Sequence, residues 1–269
     1  MTAGQPDWVP PDVDTRRANP ARVYDYLLGG THNFLADQDV ARAMTAIDPN
    51  IRSAARANRA FIERAVRFLA GSGIRQFLDI GSGIPTEGNV HEIALQAAPG
   101  SRVVYVDVDP VAVAHSQALL AGNDYAAIVD ADVRDLDDIL GHEQTRRLID
   151  FSQPVGLLLS GVLHFIPDDE DPWRITRTLH DVLAPGSYLV LGHASHEGTV
   201  TRAVLTAYNR SVSTTSSPRS RDEILRFFDG FDLTEPGLVP MTQWRPDSPE
   251  DVPAGNSPFW VLVGVARKP

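Results

Sequence analysis

The 269-residue sequence contains no cysteine and a single lysine, Lys268. The missing cysteine excludes a thiolate nucleophile, a disulfide framework, an iron–sulfur cluster and Cys-ligated zinc. Schiff-base chemistry has no usable lysine, because the one present stands beside the C-terminus. Also missing is any stretch of about 18 apolar residues, so no membrane-spanning helix and no membrane partner are expected. The opening MTAGQPDWVPPDVDTRR has no apolar signal-peptide core. With no cysteine suited to an oxidising compartment, the expected location is the cytoplasm.

What is present describes a globular chain, 43% hydrophobic and 22% charged, long enough for one large domain or a domain with a cap. Its net charge of −11 is unevenly spread. Residues 1–75 hold 10 Arg and 8 acids, net +2, whereas residues 76–269 are net −13. So acidic a body argues against a nucleic-acid partner. The charge break coincides with a change of pattern, which predicts an N-terminal arm and helical cap over 1–75 and a core over 76–269.

Residues 1–20, rich in Pro and Asp, read as an extended arm. Helical spacing begins at Ala21, is stopped by Gly29-Gly30, resumes over Leu35–Ile47, and is clearest from Ile51 to Leu69. In that third helix Asn58 falls among the apolar positions, while Arg52, Arg56, Arg59, Glu63 and Arg67 form what reads as a solvated face, with an anion site as the alternative. Beyond Gly73 short β-branched runs alternate with helices: Gln76–Ile80, Val103–Val106, Ala126–Val129, Val155–Leu159 and Tyr188–Leu191. Intervening helices are predicted near Gly88–Ala98, Pro110–Ala121, Leu136–Ile149 and Asp171–Leu183. Such alternation predicts a parallel sheet covered on both faces. A helix over Glu197–Asn209, a loop, a helix over Ser220–Phe228 and two late strands, Phe231–Glu235 and Phe259–Ala266, complete an α/β fold of seven strands. The last two are expected as an antiparallel hairpin at one edge.

The first strand runs into a glycine-rich turn, Phe77-Leu-Asp-Ile-Gly81-Ser82-Gly83. Glycines there let the backbone turn tightly and approach a ligand. Asp79 stands two residues before the turn, where its charge would repel a pyrophosphate, and Thr86 replaces the third glycine of a dinucleotide motif. A ligand with a cationic amine and no phosphate suits this turn; S-adenosylmethionine is one. Asp107 follows Gly83 by 24 residues at the end of the second run, a spacing at which an acid accepts from ribose hydroxyls. Asp132 ends the third run, able to accept from an adenine amino group with Val133 packed on the ring.

On these residues, and on the fourth-run segment Leu157–Asp168 (LLLSGVLHFIPD), the sequence resembles the class I S-adenosylmethionine-dependent methyltransferases. That resemblance implies a Rossmann-like seven-stranded sheet, mostly parallel with an antiparallel last strand. It implies that Asp79, Gly81, Ser82 and Gly83 hold the methionine end, Asp107 and the adjoining Val108 the ribose side, and Asp132 with Val133 the adenine. Ser160 and Gly161 would line the floor beneath the sulfonium. A narrower resemblance spans nearly the whole chain: NPARVYDYLLGGTHNF (19–34), LDIGSGIPTEGNVHE (78–92), VDVDPVAVAHS (106–116) and EPGLVPMTQWRPD (235–247) are similar to the S-adenosyl methyltransferase family, formerly a domain of unknown function.

An oxygen or nitrogen acceptor that arrives protonated needs a nearby base, and His164, just past the fourth strand, is the candidate, ahead of His193. The spacing His193-Ala-Ser-His196-Glu197 has no further partner for a metal site, so no metal is expected. Tyr24, Tyr26, Gly30 and His32 are expected near the cofactor, as part of the cap. The resulting expectation is direct, in-line methyl transfer to an oxygen or nitrogen of a small molecule. The alternatives are a non-catalytic S-adenosylmethionine-binding sensor or interaction module and, third, a nicotinamide-dependent oxidoreductase. The identity of the acceptor and the oligomeric state are left open.

Overall fold

The computed structural model describes residues 9–11, 13–85, 88–197, 199–210, 212, 214–252 and 261–269. Three helices open the chain: α1 (Pro20–Leu28), α2 (Leu35–Ile47) and α3 (Ile51–Gly71). α1 starts where the Asn19 side chain accepts from Ala21 N ahead of Pro20, whose missing N–H costs nothing at that position. It stops at Gly29, whose φ of 92° is the left-handed closure a glycine permits. Strands and helices then alternate: β1 (Gln76–Ile80), α4 (Val90–Ala97), β2 (Arg102–Asp107), α5 (Pro110–Leu119), β3 (Ala126–Asp130), α6 (Leu136–Gly141), α7 (Glu143–Leu148), β4 (Gly156–Ser160), α8 (Pro172–Val182) and β5 (Tyr188–Ala194). The C-terminal part adds α9 (Thr199–Asn209), α10 (Arg221–Leu225), β6 (Asp232–Leu233), β7 (Val239–Pro240) and β8 (Val261–Arg267).

The strands form one sheet in the order β3-β2-β1-β4-β5-β8-β6, with β7 also paired to β8. β1 to β5 are parallel; β8 runs antiparallel to β5, β6 and β7. Alternate residues face opposite layers, as the pleat requires. Leu78, Ile80, Val104 and Leu157 face one core with Ile139, Leu148, Trp173 and Leu179. Phe77, Val103, Leu158 and Val190 face the other, with Phe61, Ala65 and Leu69 of α3. Growth of the sheet reverses between β1 and β4, so the ends of those two strands border the crevice where ligands of open α/β sheets bind.

α3 bridges two layers. Its first turns, at Ile51 and Ala55, join Val23, Leu27, Met44, Val204 and Tyr208 in a separate cluster made with α1, α2 and α9. Its later turns lie on the sheet. The helices ahead of residue 76 are thus divided between a roof (α1, α2 and the start of α3) and the sheet layer.

Among the described residues the sheet has eight strands instead of the expected seven, because Val239–Pro240 adds a two-residue pairing to β8. The helix expected over Leu136–Ile149 is two helices, broken at His142, whose extended backbone (ψ 141°) and ring nitrogen cap the second. The helix expected over Ser220–Phe228 gives way after Leu225 to a 3-10 turn, Arg226–Phe228. Phe259, the expected start of the last strand, lies outside the described residues.

Candidate active site

A cleft of about 510 Å³ opens at the carboxyl ends of β1 to β4 and beneath the roof. At its centre is the turn after β1. Gly81 and Gly83 have φ of +74° and +69°, and Gly81 N and Ser82 N donate to Val106 O at 2.7 and 3.1 Å. A Cβ on Gly81 would stand 1.9 Å from Val162 Cγ2, so side chains are shut out by packing as well as by the left-handed backbone. Ser82 Oγ is buried and has no partner among the described residues, although it lines the cleft.

Two carboxylates flank the turn. Asp107, at the end of β2, accepts N–H bonds from Gly83 (2.7 Å), Val108 (2.8 Å) and Asp109 (2.9 Å), which fix its orientation. Burial still pushes it up to about 6, against the pull of those donors. Asp79 faces the cleft with no hydrogen bond or ion pair holding its carboxylate among the described residues. Burial pushes it up to about 7; Arg59 pulls it down and Asp107 pushes it further up. A half-buried acid without a partner is costly to keep unless a cation meets it there.

Further along the cleft Val133 is buried, while Val108 is 57% exposed at the edge, an apolar side chain left bare beside the turn. Asp132 also lines the cleft, but accepts from Arg134 N at 2.9 Å and from the Arg134 guanidinium at 3.1 Å. Ser160, at the end of β4, donates from Oγ to Asn58 Oδ1 at 3.0 Å. Asn58 Nδ2 donates to Tyr24 Oη at 3.1 Å, and Tyr24 Oη donates to Ala55 O at 3.0 Å. This chain ties the sheet to α3 and to α1 across the cleft.

His164 lies in a 3-10 turn, Leu163–Phe165, just beyond Gly161 (φ +84°). Its ring lines the cleft, and its Nδ1 is buried without a partner among the described residues. Burial, aided by the Arg219 charge, pulls it down to about 3. Such a ring accepts a hydrogen bond at neutral pH but is too weak a base to hold a proton. His193 is not at the cleft: Arg219 donates to its Nε2 at 2.9 Å, and its Nδ1 meets Ala194 O at 2.7 Å. Arg219 also donates to Leu163 O and Ile166 O, which fixes the turn that carries His164. His196 meets Glu223, and no group of three metal-ligating side chains converges among the described residues.

The sequence-predicted residues therefore separate into two sets. Asp79, Gly81, Ser82, Gly83, Asp107, Val108, Asp132, Val133, Ser160, Gly161, His164 and Tyr24 line one cleft. Tyr26, Gly30 and His32 do not. Tyr26 takes the Arg42 and Arg52 guanidinium groups over its ring, and His32 stacks on His115 at 4.0 Å. Gly30 is needed for packing, since a Cβ there would stand 2.0 Å from Asp25 Oδ1. Asp25 in turn accepts from His32 N and Asn33 Nδ2, so much of that N-terminal motif locks the α1–α2 corner. Conversely Arg59, read from the sequence as part of a solvated face, lines the cleft and donates to Gly88 O at 2.6 Å. Asn58 carried a signal, a polar residue at an apolar helical position; Arg59 carried none.

A family model described as S-adenosyl methyltransferase matches residues 6–269. The chain belongs to the S-adenosyl methyltransferase family. A crystal structure of a candidate methyltransferase from Thermobifida fusca is 41% identical, with a TM-score of 0.92 over 98% of this chain and 99% of that one. A DUF574 family protein from Streptomyces avermitilis is 39% identical, with a TM-score of 0.91 over 95% and 99%. The mitomycin 7-O-methyltransferase, at 19% identity and a TM-score of 0.50 over 97% and 74%, shares the fold alone. No curated protein matches. The cofactor of this family is S-adenosylmethionine, and the cleft suits it: a carboxylate awaiting a cation, an orphaned serine hydroxyl, a side-chain-free turn and a bare apolar edge converge there. No helix among the described residues is long and apolar enough to cross a membrane.

Proposed function

We propose that this protein transfers the methyl group of S-adenosylmethionine directly to an oxygen or nitrogen of a small molecule held under the roof. The observation that carries the reading is the cleft-facing Asp79 carboxylate beside the Gly81–Gly83 turn, with Asp107 pre-oriented on the neighbouring strand. When bound, the cofactor supplies a methyl group made electrophilic by its sulfonium.

The chain's own part is binding, orientation and exclusion of water. Asp79 accepts from the cofactor's ammonium group, and Arg59, whose charge already acts on Asp79, meets its carboxylate. Asp107 keeps lone pairs free after its three backbone donors and takes ribose hydroxyls. Val108 and Val133 pack on the adenine, and Asp132, steadied by Arg134, accepts at its rim. Ser160 and Gly161 form the floor. His164, neutral at physiological pH, accepts a hydrogen bond from the acceptor's O–H or N–H and thereby directs its lone pair. As the new bond to the methyl carbon forms and the carbon–sulfur bond breaks, the acceptor's proton is released to solvent, since His164 does not retain it. The Ser160–Asn58–Tyr24 chain fixes the roof helices over the far side of the cleft.

Calorimetric titration with S-adenosylhomocysteine, for the wild type and for Asp79→Ala and Asp107→Ala, tests the cofactor half. Binding is expected in the wild type and a loss of at least tenfold in each variant; equal binding in Asp79→Ala would refute the assignment. Methyl-labelled cofactor and a cell extract test the transfer. A labelled small-molecule fraction is expected, and a protein that binds the cofactor but labels nothing is a binding module instead.

A further inference from the structure

The cofactor's proposed contacts use only one end of the cleft. Its other end, toward the roof, is lined by apolar side chains that include Leu27, Met44, Ile51, Phe165 and Leu205. The charged residues that line the cleft come from the ends of β1, β2 and β3 (Asp79, Asp107, Asp109, Asp132 and Arg134) or, for Arg59, from α3 near Asp79. Three side-chain polar atoms at the apolar end are buried with no partner among the described residues: His164 Nδ1, Tyr208 Oη and Ser216 Oγ. Buried polar groups are rarely left unpaired, and three on one cavity point to a ligand that completes them.

Packing brings the three together. The His164 and Phe165 rings are 4.2 Å apart, and the Phe165 and Tyr208 rings 6.2 Å. Ser217 N donates to His164 O at 2.6 Å, so residue 216 adjoins the His164 turn. Asn209, next to Tyr208, fixes Ser216 from both sides: its Oδ1 accepts from Ser216 N at 2.7 Å and its Nδ2 donates to Ser216 O at 2.9 Å. A neutral imidazole nitrogen accepts or donates according to its tautomer, and each hydroxyl can do both. The charges that reach this end are already paired, Arg219 near His164 with Asp168 at 2.6 Å and Asp37 near Tyr208 with Arg22 at 3.7 Å. Neither lines the cavity to compensate an ionised ligand, and burying an unpaired charge is strongly unfavourable.

We propose that the methyl acceptor is an uncharged, largely apolar molecule whose single hydroxyl or amine head is recognised by His164, Tyr208 and Ser216 together. This rests on the methyltransferase reading above and names the class of molecule that the acceptor end selects.

The test uses the full chain at pH 7. S-adenosylhomocysteine is titrated first, so that a failure there falls on the cofactor assignment alone. The saturated protein is then titrated with two probes, 2-naphthol and 4-hexylphenol, and with their carboxylate counterparts, 2-naphthoate and 4-hexylbenzoate. At least one phenol is expected to bind at least tenfold more tightly than its carboxylate. Tyr208→Phe and Ser216→Ala should each weaken that phenol about three- to tenfold, the range for one neutral hydrogen bond. Circular dichroism identifies a variant that has not folded, and Leu205→Trp, which fills the apolar end, is the second measurement: it should displace the phenol. Failure of both phenols to bind, carboxylates that bind as well as the phenols, or a phenol indifferent to all three substitutions would each overturn the proposal.

Discussion

Replacing Asp79 by Asn should strengthen the ligand-free fold while destroying its affinity for the cofactor. Burial raises the Asp79 carboxyl from 3.8 to about 7 in the folded protein. Between those values the unfolded chain has released its proton and the folded one has kept it, so stability falls as pH rises. At about 1.4 kcal/mol per pKa unit, the ionised carboxylate costs the fold at most about 4 kcal/mol above pH 7, and about 1.5 kcal/mol at pH 5. Asn is neutral at both. For a chain of this size the substitution should raise Tm by about 8–16 °C at pH 8 and by about 3–6 °C at pH 5. Calorimetric melting of wild type and variant at the two pH values reads the difference directly. S-adenosylhomocysteine affinity should fall in parallel by about tenfold or more, the loss of one charge-assisted hydrogen bond. A Tm rise equal at both pH values, or a lower Tm at pH 8, would refute the argument that desolvation of this carboxylate is a cost borne for binding.

Wild-type affinity for S-adenosylhomocysteine, measured by calorimetry from pH 7.5 down to 5, should decline as Asp79 and then Asp107 take up protons, and the first step should vanish in Asp79→Asn. Gly81→Ala combines a left-handed backbone with a 1.9 Å overlap on Val162; a stability loss of about 2–5 kcal/mol in urea is expected. Adding Val162→Ala should recover the overlap and leave the backbone strain. Arg22→Met removes the cation shared by buried Asp37 and Asp109, at 3.7 and 3.6 Å, and should cost about 3–5 kcal/mol; an unchanged urea midpoint would count against the pairing. Arg219→Gln strips donors from Leu163 O and Ile166 O, with a loss of about 2 kcal/mol or more expected in the same assay. The His164 imidazole resonances should then titrate at higher pH, as the neighbouring cation is gone.

The helix and strand order, the glycine turn and the acid at the end of each of the first three strands are local in the chain. Periodicity and turn chemistry therefore reveal them before any packing is known. The class of cofactor follows from the same local facts, because Asp79 beside Gly81 rejects a pyrophosphate and accepts an amine. Legibility falls off where a residue's role depends on a partner far away in sequence. Arg59 shares the spacing of exposed arginines on α3, and only the meeting of α3 with β1 turns it toward the cleft. His193 reads from the sequence as a second candidate behind His164, but Arg219, 26 residues later, occupies its ring. Of the four N-terminal candidates only Tyr24 reaches the cleft, through Asn58 of α3; Tyr26, Gly30 and His32 complete the corner built on Asp25 and α2. By itself the sequence determined the sheet, its glycine turn and the cofactor end, since those are properties of short segments. Tertiary structure alone decided the acceptor end, because His164, Tyr208 and Ser216 come from three segments whose unpaired atoms share a cavity only once the roof has closed over the sheet.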